Sequence, residues 1–197
     1  EPKSQFFPDI YGDKIVWKDG RNNGLWFVYM YDLSSGQESR ISTNNLTTSA
    51  KPDIFEDKIV WADSRNPSAG SDVYMYDIST GQETQITYDT SNQDSPFIYG
   101  NKIIWRVFRD SNYNIYMYDL STGQEIQITS SFSSEEQPAI YGNKIVWTDW
   151  RNGNSDIFMV DLSKLWCRGA DTDKDSDVDT ADYTTCFQTF TGVGGNC

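Results

Sequence analysis

An acidic segment towards the C-terminus carries the residue spacing best suited to binding chemistry. From position 171 the chain reads DTDKDSDVDTAD, in which carboxylates alternate with other residues and a last one stands at the twelfth position. These are the positions that supply oxygen ligands in a calcium-binding loop. The carboxylates are those of Asp171, Asp173, Asp175, Asp177, Asp179 and Asp182. So many like charges would repel one another without a cation, and the segment therefore predicts a Ca²⁺ site.

The residues that follow this segment have helical spacing. Apolar side chains recur at Tyr183, Cys186, Phe187 and Phe190. That spacing predicts an amphipathic helix from Thr180 to Thr191, ended by Gly192. A calcium loop followed by one helix resembles half of a dockerin over residues 171–191, and the resemblance implies a calcium module that attaches to a cohesin partner. A dockerin has two such repeats, and this sequence shows one.

The sequence contains three cysteines, all near its C-terminal end. A disulfide between Cys186 and Cys197 would join the end of the predicted helix to a Gly-rich stretch and leave Cys167 free or bridged to another chain. Pairing of Cys167 with either of the other two stays open. The sequence has no histidine and no Cys-x-x-Cys spacing, so its cysteines do not indicate a zinc site.

A second recurring pattern is Asp-x-Arg-Asn. It begins at Asp19, Asp63 and Asp149. The third copy departs from it, with Val107 two residues before Arg109. We expect a repeated ion pair that fixes a loop and ties neighbouring repeats together. Oxygen-bearing side chains in residues 149–156 could also hold calcium, although Arg151 would compete for the same carboxylates.

The sequence offers little for catalysis. Without histidine, the usual general base for a serine or cysteine nucleophile is missing. Paired carboxylates could hydrolyse a glycoside, but the candidate aspartates recur with the repeats and are better explained as structure. We therefore expect no enzymatic activity. The alternative function is carbohydrate binding, for which Trp26 and Trp150, outside the repeated positions, would form an aromatic platform.

A sequence motif that occurs four times in the chain marks the structural elements that position these residues. The first two copies read PDIYGDKIVWKD and PDIFEDKIVWAD. The repeated prolines are Pro8, Pro52, Pro96 and Pro138, and the repeated tryptophans are Trp17, Trp61, Trp105 and Trp147. Both series advance by 44, 44 and 42 residues, which is typical of a repeat architecture. We expect each tryptophan to pack between neighbouring repeats, where its burial contributes about 2–3 kcal/mol; a stacked platform for sugar is the alternative.

Each repeat has the pattern of four short strands. In the second copy, a short apolar stretch after Pro52 is followed by strand-like segments at 58–63, 72–78 and 82–87. Four antiparallel strands in about 43 residues form one blade of a β-propeller. The sequence therefore predicts an all-β fold, with a β-propeller of four four-stranded blades in residues 1–166 and a calcium loop and α-helix in residues 167–197.

The repeated phrases also resemble a known family. IYGDKIVW at residues 10–17 and NIYMYDLSTGQE at residues 114–125 are similar to the TolB-like β-propeller repeats, and the resemblance covers residues 8 to about 166. It implies a propeller fold and residence outside the cytoplasm, and little about activity. Propellers of this family usually carry more than four blades, so the chain resembles part of the usual ring.

The fourth copy lacks the outer-strand phrase of the other three, because after Ser163 the chain continues as KLWCRG. We therefore expect the last blade to be incomplete. A closed four-bladed ring, an open half-ring that pairs with another copy, and a blade edge that accepts a strand from the next molecule all stay open. Unpaired edges promote association, and a contact that does not close on itself generates a filament.

These features favour a structural or interaction protein that self-assembles, as an oligomer or a filament, through its blade edges and a calcium-dependent tail. Another extracellular protein is the alternative partner. The net charge of −13 and the lack of Lys and Arg clusters argue against nucleic acid. No apolar run approaches the roughly 20 residues of a membrane span.

Composition also predicts where the protein resides. The acidic balance, the grouped cysteines and a first residue, Glu1, that does not open a leader peptide predict a mature chain secreted to the outside or the surface of the cell. The sequon that starts at Asn45 could carry a glycan there.

Overall fold

The fold is seen in a computed structural model, which describes residues 4–23, 25–46, 51–65, 70–109, 111–165 and 188–190. The described residues form four antiparallel sheets of four strands each. The first sheet contains β1 (Gln5–Tyr11), β2 (Lys14–Asn22), β3 (Leu25–Asp32) and β4 (Gln37–Arg40). The second contains β5 (Asp53–Phe55), β6 (Lys58–Asp63), β7 (Asp72–Asp77) and β8 (Gln82–Gln85).

The third and fourth sheets repeat this plan. The third contains β9 (Asn92–Tyr99), β10 (Lys102–Arg109), β11 (Asn112–Asp119) and β12 (Gln124–Gln127). The fourth contains β13 (Glu135–Tyr141), β14 (Lys144–Asp149), β15 (Asp156–Asp161) and β16 (Gln188–Phe190). One helical turn, α1 (Leu162–Leu165), follows β15. Strand order in each sheet follows the chain, so the predicted all-β fold of four-stranded blades is confirmed.

The turn between the third and fourth strands explains why the Ser-Thr-Gly phrase recurs. In the third sheet the carboxylate of Asp119 accepts a hydrogen bond of 2.8 Å from the backbone N–H of Ser121. Gly123 closes the turn with a φ of 70°, a left-handed conformation that favours glycine. Gly36 and Gly81 have the same φ, so three sheets turn in the same way.

Three hydrophobic clusters form the core, and each lies between two consecutive sheets. In the second sheet, Ile59 and Trp61 belong to the cluster with the first sheet, whereas Val60 belongs to the cluster with the third. Side chains on a strand alternate between its two faces, so β6 is apolar on both. Trp61, Trp105 and Trp147 all lie in these clusters, whereas Trp17, in the first sheet, is half-buried.

The fourth sheet departs from the expected incomplete blade. β16 pairs antiparallel with β15, with Phe190 opposite Ile157, and supplies the missing outer strand. The predicted helix from Thr180 to Thr191 is therefore wrong over Gln188–Phe190, because the open edge of β15 pairs with these residues as a strand. Residues 166–187, with the predicted calcium ligands, lie outside the described residues, as do all three cysteines.

The four sheets form an open arc. Within the described ranges, no hydrophobic cluster joins the fourth sheet to the first. No helix in this part of the chain is long and apolar enough to cross a membrane. The arc therefore presents two outer sheet faces, one at each end, that no described sheet covers.

Candidate functional site

The Asp-x-Arg pattern forms a small polar unit at the end of the second strand of a sheet. In the first sheet, Trp17 Nε1 donates to the carboxylate of Asp19 at 2.8 Å, and Arg21 Nε donates to the same oxygen at 2.8 Å. The Arg21 guanidinium lies over the ring of Tyr29, 4.6 Å from its centroid, and that ring stacks with Trp17. The predicted ion pair is thus also a support for the tryptophan.

These contacts also set the ionisation of the aspartate. Burial by itself would raise the pKa of Asp19, but hydrogen bonds from Arg21, Trp17 and Gln5 hold that pKa well below its usual range. The fourth sheet repeats the arrangement, with Trp147 Nε1 donating to Asp149 at 3.2 Å. The carboxylates therefore stay ionised and engaged within their own sheets, which is a structural use of their charge.

The third sheet lacks the unit because Val107 takes the place of the aspartate. Arg109 pairs instead with Asp89 and donates to Tyr116 Oη at 3.1 Å. In the described part of the chain, Trp105 Nε1 has no acceptor within hydrogen-bond distance. The third sheet therefore keeps the ring packing of this unit without its hydrogen bond.

One copy of the pattern also links two sheets. Arg65 pairs with Asp63 and with Glu83 on the outer strand of its own sheet. Glu83 in turn accepts hydrogen bonds of 3.2 Å and 3.1 Å from the backbone N–H and the hydroxyl of Thr43, which follows β4 of the preceding sheet. The expected tie between neighbouring repeats passes through this glutamate.

Two further acidic groups have raised pKa values: Glu135, and Asp53, which stands where Asp9 does in the first sheet and makes the same contact with the next sheet as Asp9 makes with Ile54 at 2.9 Å. Glu135 is fully buried, accepts a hydrogen bond from the Thr129 hydroxyl and lies 3.7 Å from the Arg151 guanidinium. Burial raises the pKa of Glu135 to about 8. Asp53 accepts a hydrogen bond of 2.8 Å from the backbone N–H of Ile98 in the next sheet, and burial, with Asp9 nearby, raises its pKa to about 7.

An aromatic ladder crosses all four sheets and was not recognised from the sequence. It consists of the last residues of the four innermost strands, Tyr11, Phe55, Tyr99 and Tyr141. Successive ring centroids lie 4.8, 4.6 and 4.9 Å apart. The signal was present, because each residue stands three positions after a repeated proline. Tyr141 is 76% exposed at the end of the ladder.

The two ends of the arc expose residues that are buried at the equivalent places between sheets. We call Ile10, Ile15, Trp17 and Tyr29 the N-terminal end face, of which Tyr29 is itself buried at 9% exposed, and Val146, Ile157 and Met159 the C-terminal end face. Ile10 is 60% exposed, whereas its equivalents in the next two sheets, Ile54 and Ile98, are 5% and 4% exposed. Ile157 is 52% exposed, although the equivalent Ile115 is fully buried. Both end faces therefore hold core residues that none of the described sheets covers.

The two tryptophans predicted as a sugar platform differ in their surroundings. Trp26 packs so closely on Gly20 that a Cβ there would lie 2.9 Å from its ring, and Lys18 covers the ring at 4.9 Å from its centroid. Trp26 is therefore explained as packing. Trp150 is 47% exposed and stays available.

The remaining candidates within the described ranges are hydrogen-bonded side chains. Asn45 accepts a hydrogen bond of 2.8 Å from the backbone N–H of Trp26 through Oδ1, and the Nδ2 atom is the one a glycan would join. In the alternative calcium stretch, Asn152 and Asn154 donate to Asp156 at 2.9 and 3.0 Å. Among the described residues, no three acidic, cysteine or histidine side chains come together as a metal site.

Comparison with known proteins identifies the architecture. No protein-family model matches the sequence, and no curated protein is recognisably similar to it. Among solved structures, TolB from Acinetobacter baumannii superposes with a TM-score of 0.66 at 21% identity, covering 82% of this chain and 42% of that one. The fold is a β-propeller.

Two further structures agree with this. A putative TolB from Agrobacterium tumefaciens has a TM-score of 0.63 at 17% identity and covers 77% of this chain and 58% of its own. The β-propeller domain of the Trilobed protease from Pyrococcus furiosus, described as having an open velcro topology, has a TM-score of 0.60 at 14% identity, with coverages of 80% and 54%. The chain thus spans about half the length of the propellers it resembles.

Proposed function

We propose that this protein is a secreted, non-catalytic β-propeller that serves as a structural or interaction module and associates with copies of itself. The observation that carries the proposal is the exposure of Ile10 and Ile157 at the two ends of the arc. Apolar residues exposed where the other sheets keep their equivalents buried form the kind of surface that marks a protein interaction site. The association buries surfaces that the rest of the fold keeps between its sheets.

The structural hydrogen bonds of the charged groups support a non-catalytic role. Burial raises the pKa of Asp63, which accepts hydrogen bonds from Arg65. Asp19 and Asp149 accept hydrogen bonds from both tryptophan and arginine in their own sheets. A catalytic carboxylate needs room for a substrate and a tuned pKa, whereas these pairs stabilise the ionised form and fill the site with an arginine. The sequence also has no histidine to act as a general base.

Calcium is the proposed cofactor of the tail. The ligands are the aspartates 171, 173, 175, 177, 179 and 182, and the argument rests on their spacing. These residues lie in the chain between β15 and β16, so a cation that orders them would shorten the effective connection and favour the pairing of β16 with β15.

Calorimetric titration of calcium into the purified chain tests this proposal. Asp171→Ala and Asp175→Ala should each abolish or strongly weaken the binding, whereas Asp156→Ala, in the alternative stretch, should leave it unchanged. Unchanged stoichiometry in the first two variants would remove the site from the tail.

Self-association is tested by light scattering and electron microscopy of the purified protein over a wide concentration range, with calcium and with a chelator. We expect oligomers or filaments whose mass rises with concentration. A protein that stays monomeric throughout would contradict the proposed function.

Carbohydrate binding is the second candidate, and the exposure of Trp150 favours it. An exposed indole face is the surface on which a sugar ring stacks. Glycan-array binding that Trp150→Ala abolishes and Tyr88→Ala leaves unchanged would support it; Tyr88 is a matched control because it is 78% exposed. No binding by the unmodified chain would dismiss it.

A further inference from the structure

We propose that the C-terminal end face of one copy docks on the N-terminal end face of a second copy, in the register that the sheets of one chain use among themselves. This inference rests on the proposed self-association and names its surfaces. It makes the contact head-to-tail, so that the same two surfaces meet at every junction.

The contacts between consecutive sheets use the same residue types at equivalent positions. Between the first two sheets, the first contributes Val16, Val28, Met30 and Ile41, and the second contributes Ile54, Ile59, Trp61 and Tyr74. The second and third sheets meet through Val60, Val73, Met75 and Ile86 against Ile98, Ile103, Trp105 and Tyr116. In both contacts, the preceding sheet contributes two valines, a methionine and an isoleucine. The following sheet contributes two isoleucines, a tryptophan and a tyrosine.

Each end face carries one of the two residue sets that meet in these contacts. The C-terminal end face offers Val146, Ile157 and Met159, and Phe190 stands in β16 at the register position of Ile41. The N-terminal end face offers Ile10, Ile15, Trp17 and Tyr29. The two halves lie at opposite ends of the arc of described sheets, so a second copy carries the complement of each.

The aromatic ladder would also continue from one copy to the next. Its rings follow one another at 4.6–4.9 Å within the chain. Docking in the internal register would place the exposed Tyr141 of one copy next to Tyr11 of the other and continue the series. The junction would thus add one more aromatic contact of the kind found between every pair of neighbouring sheets.

A polar group at the same end also lacks its counterpart. The Glu83 side chain, 13% exposed, accepts hydrogen bonds from Thr43 of the preceding sheet. Glu38 occupies the equivalent place in the first sheet, pairs with Arg21 as Glu83 pairs with Arg65, and is 37% exposed. A preceding sheet from another copy would cover Glu38, although the position of Thr43 falls at Gly192 of that sheet, a residue with no hydroxyl to donate.

Two single variants and their mixture test the register. Ile10→Lys places a charge on the N-terminal end face, and Ile157→Glu places one on the C-terminal end face. Each variant alone should weaken self-association by about 30-fold or more, as expected at the centre of an interface. Phe132→Glu, at a fully exposed residue outside both faces, should leave association unchanged.

The mixture of Ile10→Lys with Ile157→Glu separates head-to-tail docking from other modes. Each partner keeps one unmodified face, and these faces complement each other, so a mixture in which one variant is labelled with ¹⁵N should form mixed-copy complexes that native mass spectrometry resolves by mass. Near-ultraviolet circular dichroism confirms that each variant is folded. If the mixture forms no mixed complexes, or if one variant alone still associates as the unmodified chain does, the proposal is overturned.

These outcomes can be told apart from failure of the proposed function. An unmodified protein that stays monomeric overturns both. An unmodified protein that associates while both variants do so equally well overturns only the end-face docking, and places the contact elsewhere.

Discussion

Two buried tryptophans at equivalent positions allow the hydrogen bond of the Asp-x-Arg unit to be measured. Trp147 donates to Asp149 at 3.2 Å, whereas Trp105 faces Val107 and has no acceptor among the described residues. Both indoles are at most 1% exposed and both stack on the ring opposite, at 6.2 and 6.4 Å. Replacing each with phenylalanine therefore removes nearly the same packing.

The costs should differ in a definite direction. The loss of ring volume should destabilise both variants by about 1–3 kcal/mol. Trp147→Phe also removes a hydrogen bond to an ionised group, which adds about 1 kcal/mol or more, while Trp105→Phe removes a buried N–H that lacks an acceptor and recovers about 1 kcal/mol. We expect Trp147→Phe to be the more destabilised by about 2 kcal/mol.

Urea unfolding followed by far-ultraviolet circular dichroism measures this difference in the free energy of unfolding. The melting temperatures should differ by about 4–8 °C. Trp61 Nε1 also has no acceptor within hydrogen-bond distance among the described residues, although Asp63 follows it, so Trp61→Phe should cost about as much as Trp105→Phe and serves as a second reference without the hydrogen bond. Equal costs at Trp147 and Trp105, or a larger cost at Trp105, would refute the reasoning.

Three further predictions concern the two acidic groups with raised pKa values and the contact between Gly20 and Trp26. Because the pKa of Glu135 is raised to about 8, the folded state binds its proton more tightly, so stability should fall by up to about 1.4 kcal/mol per pH unit between about 4.5 and 8; Glu135→Gln should flatten that slope in unfolding measured against pH. Asp53→Asn should remove a similar decline that ends near pH 7, and an unaltered profile would count against the shift. Gly20→Ala should destabilise by about 1–3 kcal/mol through contact with Trp26, and Trp26→Leu should relieve part of that cost in a double-mutant cycle.

The repeat made most of the blade structure predictable. The fixed spacing of Trp17, Trp61 and Trp105 located the second strand of each sheet, and the Ser-Thr-Gly turns located the hairpins. Apolar residues on both faces of β6 followed from a sheet enclosed between two others. These features are local, so a single repeat contains the information that fixes them.

The features that depend on distant contacts could not be read in the same way. Ile10 and Ile54 stand in near-identical segments, yet Ile10 is exposed and Ile54 buried, because among the described sheets only that of Ile54 has a preceding sheet. The strand at Gln188–Phe190 has helical apolar spacing, and the free edge of β15 decides its conformation. The packing of Trp26 could not be read from the sequence, because its close contact, Gly20, has no side chain to signal it.

The long connection to the outer strand of the fourth sheet should lower the local stability of that strand. Four residues connect β3 to β4, whereas 26 residues, 162–187, connect β15 to β16. The longer connection adds about 1.7 kcal/mol of closure entropy to the pairing of β16. The amide protons of Gln188–Phe190 should therefore exchange with solvent faster than those of Gln37–Arg40, through an opening that leaves the first three blades intact.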